Sequence, residues 1–151
     1  MTEKTMNHVK IEFSSLPENV SLARVLIASL VAQIDTTLND LEEVKVAVSE
    51  AVSNSIIHGY QNKPDGMVKL EVFIKDGILD ITIEDSGIGI ENVEEAMTPM
   101  FSTIPERMGL GFAFMKSFMD SVSVNSSLDQ GTKVSLRKKI ISDSSCALMA
   151  K

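Results

Sequence analysis

Two runs in which apolar and polar residues alternate, 68–74 and 78–84, are separated only by Lys75-Asp76-Gly77. So short a link leaves antiparallel pairing as the outcome, a β-hairpin with Asp-Gly at its turn. A second pair of strands, 121–125 and 133–138, turns around Asp129-Gln130-Gly131. Upstream, Val9-Lys10-Ile11-Glu12-Phe13 alternates as a half-buried strand, and Ser15, Pro17 and Glu18 supply the cap and first-turn residues of a helix. Apolar positions recur at helical spacing over 20–34 and, after a polar break at 35–40, from about 41 through Ile57, with Gly59 just past the end. Residues 61–66 are rich in turn formers, and 85–108 reads as a long lid-like loop with one short helical stretch near 93–96. A helix follows over 112–119. The order strand, helix, helix, two strands, loop, helix, two strands lacks β-α-β alternation. It predicts an α+β fold, a two-layer sandwich whose mixed, mostly antiparallel sheet is covered on one face by helices.

The chain has 151 residues, the size of one domain, with an ordered core expected at about 8–140 and a tail at 141–151. Its net charge of −7, the absence of Trp and the single Tyr supply neither the basic footprint nor the stacking platforms of a nucleic-acid binder. Residues 1–10 are polar, and the longest apolar run, 25–32, is broken by Ser29 and far short of the ~20 residues that span a bilayer. A cytoplasmic protein with no membrane contact is the expectation. Cys146 stands alone and only His8 and His58 accompany it, so neither an internal disulfide nor a zinc site is predicted.

Three segments carry chemistry. On the second helix Glu50 and Asn54 stand four apart, one turn from each other on a face opposite the stripe Val48, Val52 and Ile56, with His58 a turn further. Such a pair is either a solvated helix face or a site. The strand ending in Asp85, followed by Gly87 and Gly89, offers a fixed acid and a backbone that a ligand can approach, although the same residues also make plain turns. Gly109-Leu110-Gly111-Phe112 is placed to open the helix 112–119 and present free N–H groups to a phosphate. Between residues 76 and 95 there are seven acids and no Lys or Arg, so a nucleotide phosphate held there needs a cation. Mg²⁺ binds through few protein oxygens, and the amide oxygen of Asn54 suffices, which leaves Glu50 free to act as a base.

Taken in order and spacing, Ser49-Glu50-Ala51-Val52-Ser53-Asn54-Ser55-Ile56-Ile57-His58-Gly59-Tyr60, Asp85-Ser86-Gly87-Ile88-Gly89-Ile90, Met100-Phe101-Ser102-Thr103 and Gly109-Leu110-Gly111-Phe112 resemble the ATP-binding fold shared by gyrase, the heat-shock chaperones, histidine kinases and MutL. Within that superfamily, residues 8–140 are similar to the sporulation anti-sigma F factors, which are serine protein kinases; Ser21-Leu22-Ala23-Arg24-Val25 belongs to the match. The resemblance implies the Bergerat-type ATP-binding fold, ATP and Mg²⁺ as cofactors, and a homodimer that sequesters sigma F from RNA polymerase and phosphorylates a serine of an anti-anti-sigma partner. It makes Glu50 the general base, Asn54 the Mg²⁺ ligand, Asp85 the acceptor for the adenine amino group, and Gly87 and Gly89 the adenine-side turn. Gly109 and Gly111 would hold phosphates, Thr132 would complete the adenine pocket, Ser102 and Thr103 would lie in the lid, Arg107 would sense phosphate, and Arg24 would meet the protein partners. The lid is shorter than is usual in that family, reading only Pro105-Glu106-Arg107-Met108-Gly109. With no phosphoacceptor-bearing dimerisation helix, the phosphate is expected to go to a partner, and His58 is expected to be structural. A related stress-response switch kinase acting on another sigma factor, and a non-catalytic ATP-dependent binding module, are the alternatives.

Overall fold

A computed structural model describes residues 6–97 and 106–140, the side chains of Glu106 and Arg107 excepted. Five strands, β1 (Asn7–Ser14), β2 (Met67–Lys75), β3 (Ile78–Asp85), β4 (Ser121–Ser127) and β5 (Gly131–Lys139), form one sheet in the order β1-β2-β3-β5-β4. Every pairing is antiparallel. Four α-helices accompany it: α1 (Asn19–Val31), α2 (Leu38–Asn54), α3 (Val93–Met97) and α4 (Glu106–Phe118). A π-helical turn, Ser55–Gly59, continues α2. Among the described residues no helix is long and apolar enough to cross a membrane.

The hairpin forms as its turn chemistry dictates: Asp76 and Gly77 both take positive φ (53° and 76°), the pair of left-handed residues that matches the twist of the flanking strands. Strand period two then sorts the side chains. Val68, Leu70, Val72, Leu79, Ile81, Ile83, Val134 and Leu136 face the helices and are buried with Ile27, Val31, Val44, Val48, Val52, Phe112 and Met115 in one core. The opposite face is open and charged. Across it Glu12 registers with Lys69, Lys69 with Glu84, and Glu84 with Lys133, an alternation of sign that suits a solvated face.

Three local expectations are corrected. Helix α2 begins at Leu38 rather than near residue 41, because the Thr37 hydroxyl caps it by accepting from the Asp40 N–H at 3.0 Å. Ser15 does not cap α1; its hydroxyl donates to the Lys63 carbonyl and accepts from the Gly66 N–H, tying the end of β1 to the loop before β2. Helix α4 starts at Glu106, not Phe112, so Gly109 and Gly111 lie within it instead of opening it. Burial of Met108, Phe112 and Met115 on its inner face outweighs the ~1 kcal/mol that each interior glycine costs a helix.

Candidate functional site

The site lies where the core-facing end of β3 meets the π-turn. Asp85, last residue of β3, registers with Thr132 on β5 and is buried. Its carboxylate accepts from the Gly87 N–H at 2.9 Å, from the Ser55 hydroxyl and from the Thr132 N–H. Burial nonetheless holds its pKa above the ordinary carboxylate value, with Glu84 pushing the same way and the three hydrogen bonds pulling it down. A buried acid this well oriented is one whose free lone pairs can select a ligand donor.

Glycines make the room for it. A methyl group on Gly59 would lie 3.0 Å from Asp85 Oδ1, and one on Gly87 only 2.2 Å from the Gly59 carbonyl oxygen, so the two glycines and the acid stack in direct contact. Gly89 and Gly131 take positive φ (76° and 87°), and a side chain on either would run into the backbone of Ser127 or Asp85. The π-turn is what delivers Gly59 and Ser55 together to the acid, since one extra residue per turn rotates both toward β3. Tyr60 fastens the arrangement: its hydroxyl accepts from the Ser86 N–H (2.7 Å) and donates to the Met67 carbonyl (2.6 Å). At the other side, Ser126 of β4 accepts from the Ile90 N–H, which holds the loop after β3 against β4, and lies 2.8 Å from the Thr132 hydroxyl of β5.

These elements enclose a cavity of about 440 Å³. Asn54, Asp85, Gly89 and Thr132 line it together, as does His58, and Met108, Phe112 and Val134 give it apolar wall. The combination of a few convergent polar groups with apolar surface is that of a small-molecule site. Among its described lining residues are the acids Asp85, Glu91 and Glu95 and no Lys or Arg. One polar atom of the Asn54 amide, Nδ2, is buried with no hydrogen-bond partner among the described residues. That nitrogen is a donor and calls for an acceptor such as a phosphate oxygen, while a cation would take the oxygen of the same amide.

Glu50 does not line the cavity; it shares with the cavity-lining Asn54 the surface against which Gly111 packs. A methyl group on Gly111 would sit 3.0 Å from Glu50 Oε2 and 3.4 Å from Asn54 Nδ2, so α4 crosses α2 at the pair that the helical spacing singled out. Gly111 thus serves close helix packing over the pair, whereas Gly109 is buried in α4 and Gly87 underlies Asp85. Ser102 and Thr103 lie outside the described residues, and of Arg107 only the backbone, within α4, is described. Arg24 is exposed on α1, away from the cavity lining. Motif reading missed Ser55 and Tyr60 as supports of Asp85; both sit inside the quoted helix motif, but only the π-turn shows which way they face.

Comparison with known proteins agrees with this geometry. Residues 13–138 match the family model described as the histidine kinase-like ATPase domain. The chain is 51% identical over 136 residues to the anti-sigma F factor of Geobacillus sp. (strain WCH70), covering 89% of this chain and 93% of that one. It is 52% identical over 134 residues to the anti-sigma F factor of Clostridium kluyveri, covering 87% and 94%. In structure it resembles the RsbU and RsbW domains of Rv1364c from Mycobacterium tuberculosis, with a TM-score of 0.64 at 16% identity over 89% of this chain and 32% of that longer one. The catalytic domain of the histidine kinase ThkA superposes with a TM-score of 0.56 at 16% identity, covering 87% of this chain and 96% of that domain. A histidine kinase-like ATPase fold carrying this site, with half its residues shared along nearly the whole length of such relatives, makes the chain a member of the anti-sigma F factor family.

Proposed function

We propose that the protein binds the sporulation sigma factor, sigma F, and withholds it from RNA polymerase, and that it is an ATP-dependent protein-serine kinase that inactivates an anti-anti-sigma partner. The observation that carries the kinase reading is the convergence of Glu50 and the Asn54 amide beside Gly111, next to the cavity that Asp85 and Thr132 share. In this reading Asp85 accepts a hydrogen bond from the adenine amino group, and Thr132 completes that end of the pocket. Asn54 presents its amide oxygen to Mg²⁺, which offsets the negative field of Glu91 and Glu95. ATP, when bound, supplies the phosphoryl group. Glu50 takes the proton from the attacking serine hydroxyl of the partner, a contribution of ~10² to 10⁴ in rate. Ser102, Thr103 and Arg107 are assigned to the phosphate side by the family resemblance, Gly87 and Gly89 to the base side, and Gly111 lets α4 pack over Glu50 and Asn54.

Arg24 is assigned to the protein partners. It projects from α1 between Leu22 and Val25, which are 48% and 67% exposed, an apolar surface with a cation at its centre. A homodimer in the cytoplasm belongs to the same reading, and what supports it is the likeness to the anti-sigma F factors.

The test is incubation with γ-labelled ATP, Mg²⁺ and candidate anti-anti-sigma proteins, alongside capture of sigma F in competition with core RNA polymerase. The label is expected on a partner serine, and sigma F is expected to be held back from the core enzyme. Release of free phosphate alone, or label on this chain itself, would refute the kinase reading.

A further inference from the structure

Arg24 does not hang free in solvent. Its Nε donates to Ser49 Oγ at 3.0 Å, across the α1–α2 contact. Ser49 is itself nearly buried, and its hydroxyl proton is already used: it donates to the Lys45 carbonyl at 2.7 Å, one turn back in α2. The oxygen is therefore fixed by its own helix and left with lone pairs, and only a donor can answer it. A guanidinium tethered through Nε is held in its plane, and among the described residues no hydrogen bond or carboxylate engages its two terminal amino groups. That is the geometry that receives a carboxylate in a forked, two-bond contact.

We propose that Ser49 is a positioning residue for protein recognition: it pre-orients Arg24 to accept an acidic side chain of the anti-anti-sigma partner. The inference rests on the reading of Arg24 as a partner contact and deepens it. The benefit is entropic, since an arginine ordered before the encounter loses less freedom in it, and the advantage is about two- to tenfold in affinity. A serine that merely back-bonds to its own helix would have no such effect, because that bond leaves helix stability nearly unchanged. Ser49 also immediately precedes Glu50 in α2, so a single turn of helix carries both the docking support and the proposed base.

Steady-state phosphorylation separates these roles. For Ser49→Ala the KM for the protein substrate is expected to rise about two- to tenfold, while kcat and the KM for ATP stay as in the wild type, the pattern of lost uniform binding. Ser49→Cys, which fills the same space with a poorly accepting sulfur, is expected to show the same rise, and Ser49→Thr, which keeps the hydroxyl, to show none. In an Arg24→Ala background Ser49→Ala is expected to change nothing further. A wild-type KM in both Ser49→Ala and Ser49→Cys, or an equal rise that persists without Arg24, overturns the positioning role while leaving Arg24 in place. A wild-type KM in Arg24→Ala overturns the Arg24 reading and this inference with it.

Discussion

Asp85 has an acid's cost and an acceptor's use in one carboxyl group. Its folded-state pKa is raised, so between its unfolded value of 3.8 and that raised value the native state holds more protons than the unfolded one. Stability then falls as pH rises through that window, and above it the full cost of a buried charge is carried. Asp85→Asn is expected to lose this pH dependence, so that its melting temperature falls relative to that of the wild type as the pH is lowered from 7 toward 4; thermal melts at three pH values check it. The same variant is expected to bind adenine nucleotide about ten- to a hundredfold more weakly by titration calorimetry, because an amide cannot offer the same acceptor to the ligand's amino group. Glu50 makes a separate prediction. Glu50→Gln keeps the contact with Gly111, so nucleotide affinity is expected to be unchanged while serine phosphorylation falls by ~10² to 10⁴. An undiminished single-turnover rate would remove Glu50 from the role of base.

At the scale of elements, α4 is held at its C-terminal end by β5. Lys138, barely exposed, donates from Nζ to the Phe118 carbonyl at 2.7 Å and lies 3.5 Å from Glu43 Oε2, thereby joining β5, α4 and α2. Replacing it with Met keeps the stem but leaves that carbonyl without its donor. A loss of about 1–3 kcal/mol in urea unfolding is expected, with nucleotide affinity unchanged. How far such elements were legible depends on how local their causes are. The β2–β3 hairpin was readable because Asp76 and Gly77 carry the whole instruction for the turn, and α3 fell within the loop where it was expected. The start of α4 was not, because the helix is extended over Gly109 by packing against α2, which local propensity does not report. Ser15 looked like a cap from its neighbours in sequence, yet its partners are Lys63 and Gly66, some fifty residues on. In the site the pattern is the same. Asn54 and Asp85 announce themselves by type and spacing, whereas Ser55 matters only because a π-turn aims it at Asp85.

For the whole molecule, the order of strands in space differs from their order in the chain. Strand β5 is made last yet is seated between β3 and β4, and it brings Gly131 and Thr132 to Asp85. A polypeptide leaving the ribosome has therefore laid down Asn54 and Asp85 long before Thr132, which completes their pocket. Until then β3 presents a bare edge, the kind of surface on which unfinished chains associate. Stalled nascent chains ending at residue 120 are expected to retain no nucleotide, and chains that extend past residue 140 by a linker long enough to clear the exit tunnel are expected to retain it. Ligand capture by ribosome-bound chains of graded length would check this. Occupancy of the pocket is thus expected to report that β5 has been made and seated between its neighbours.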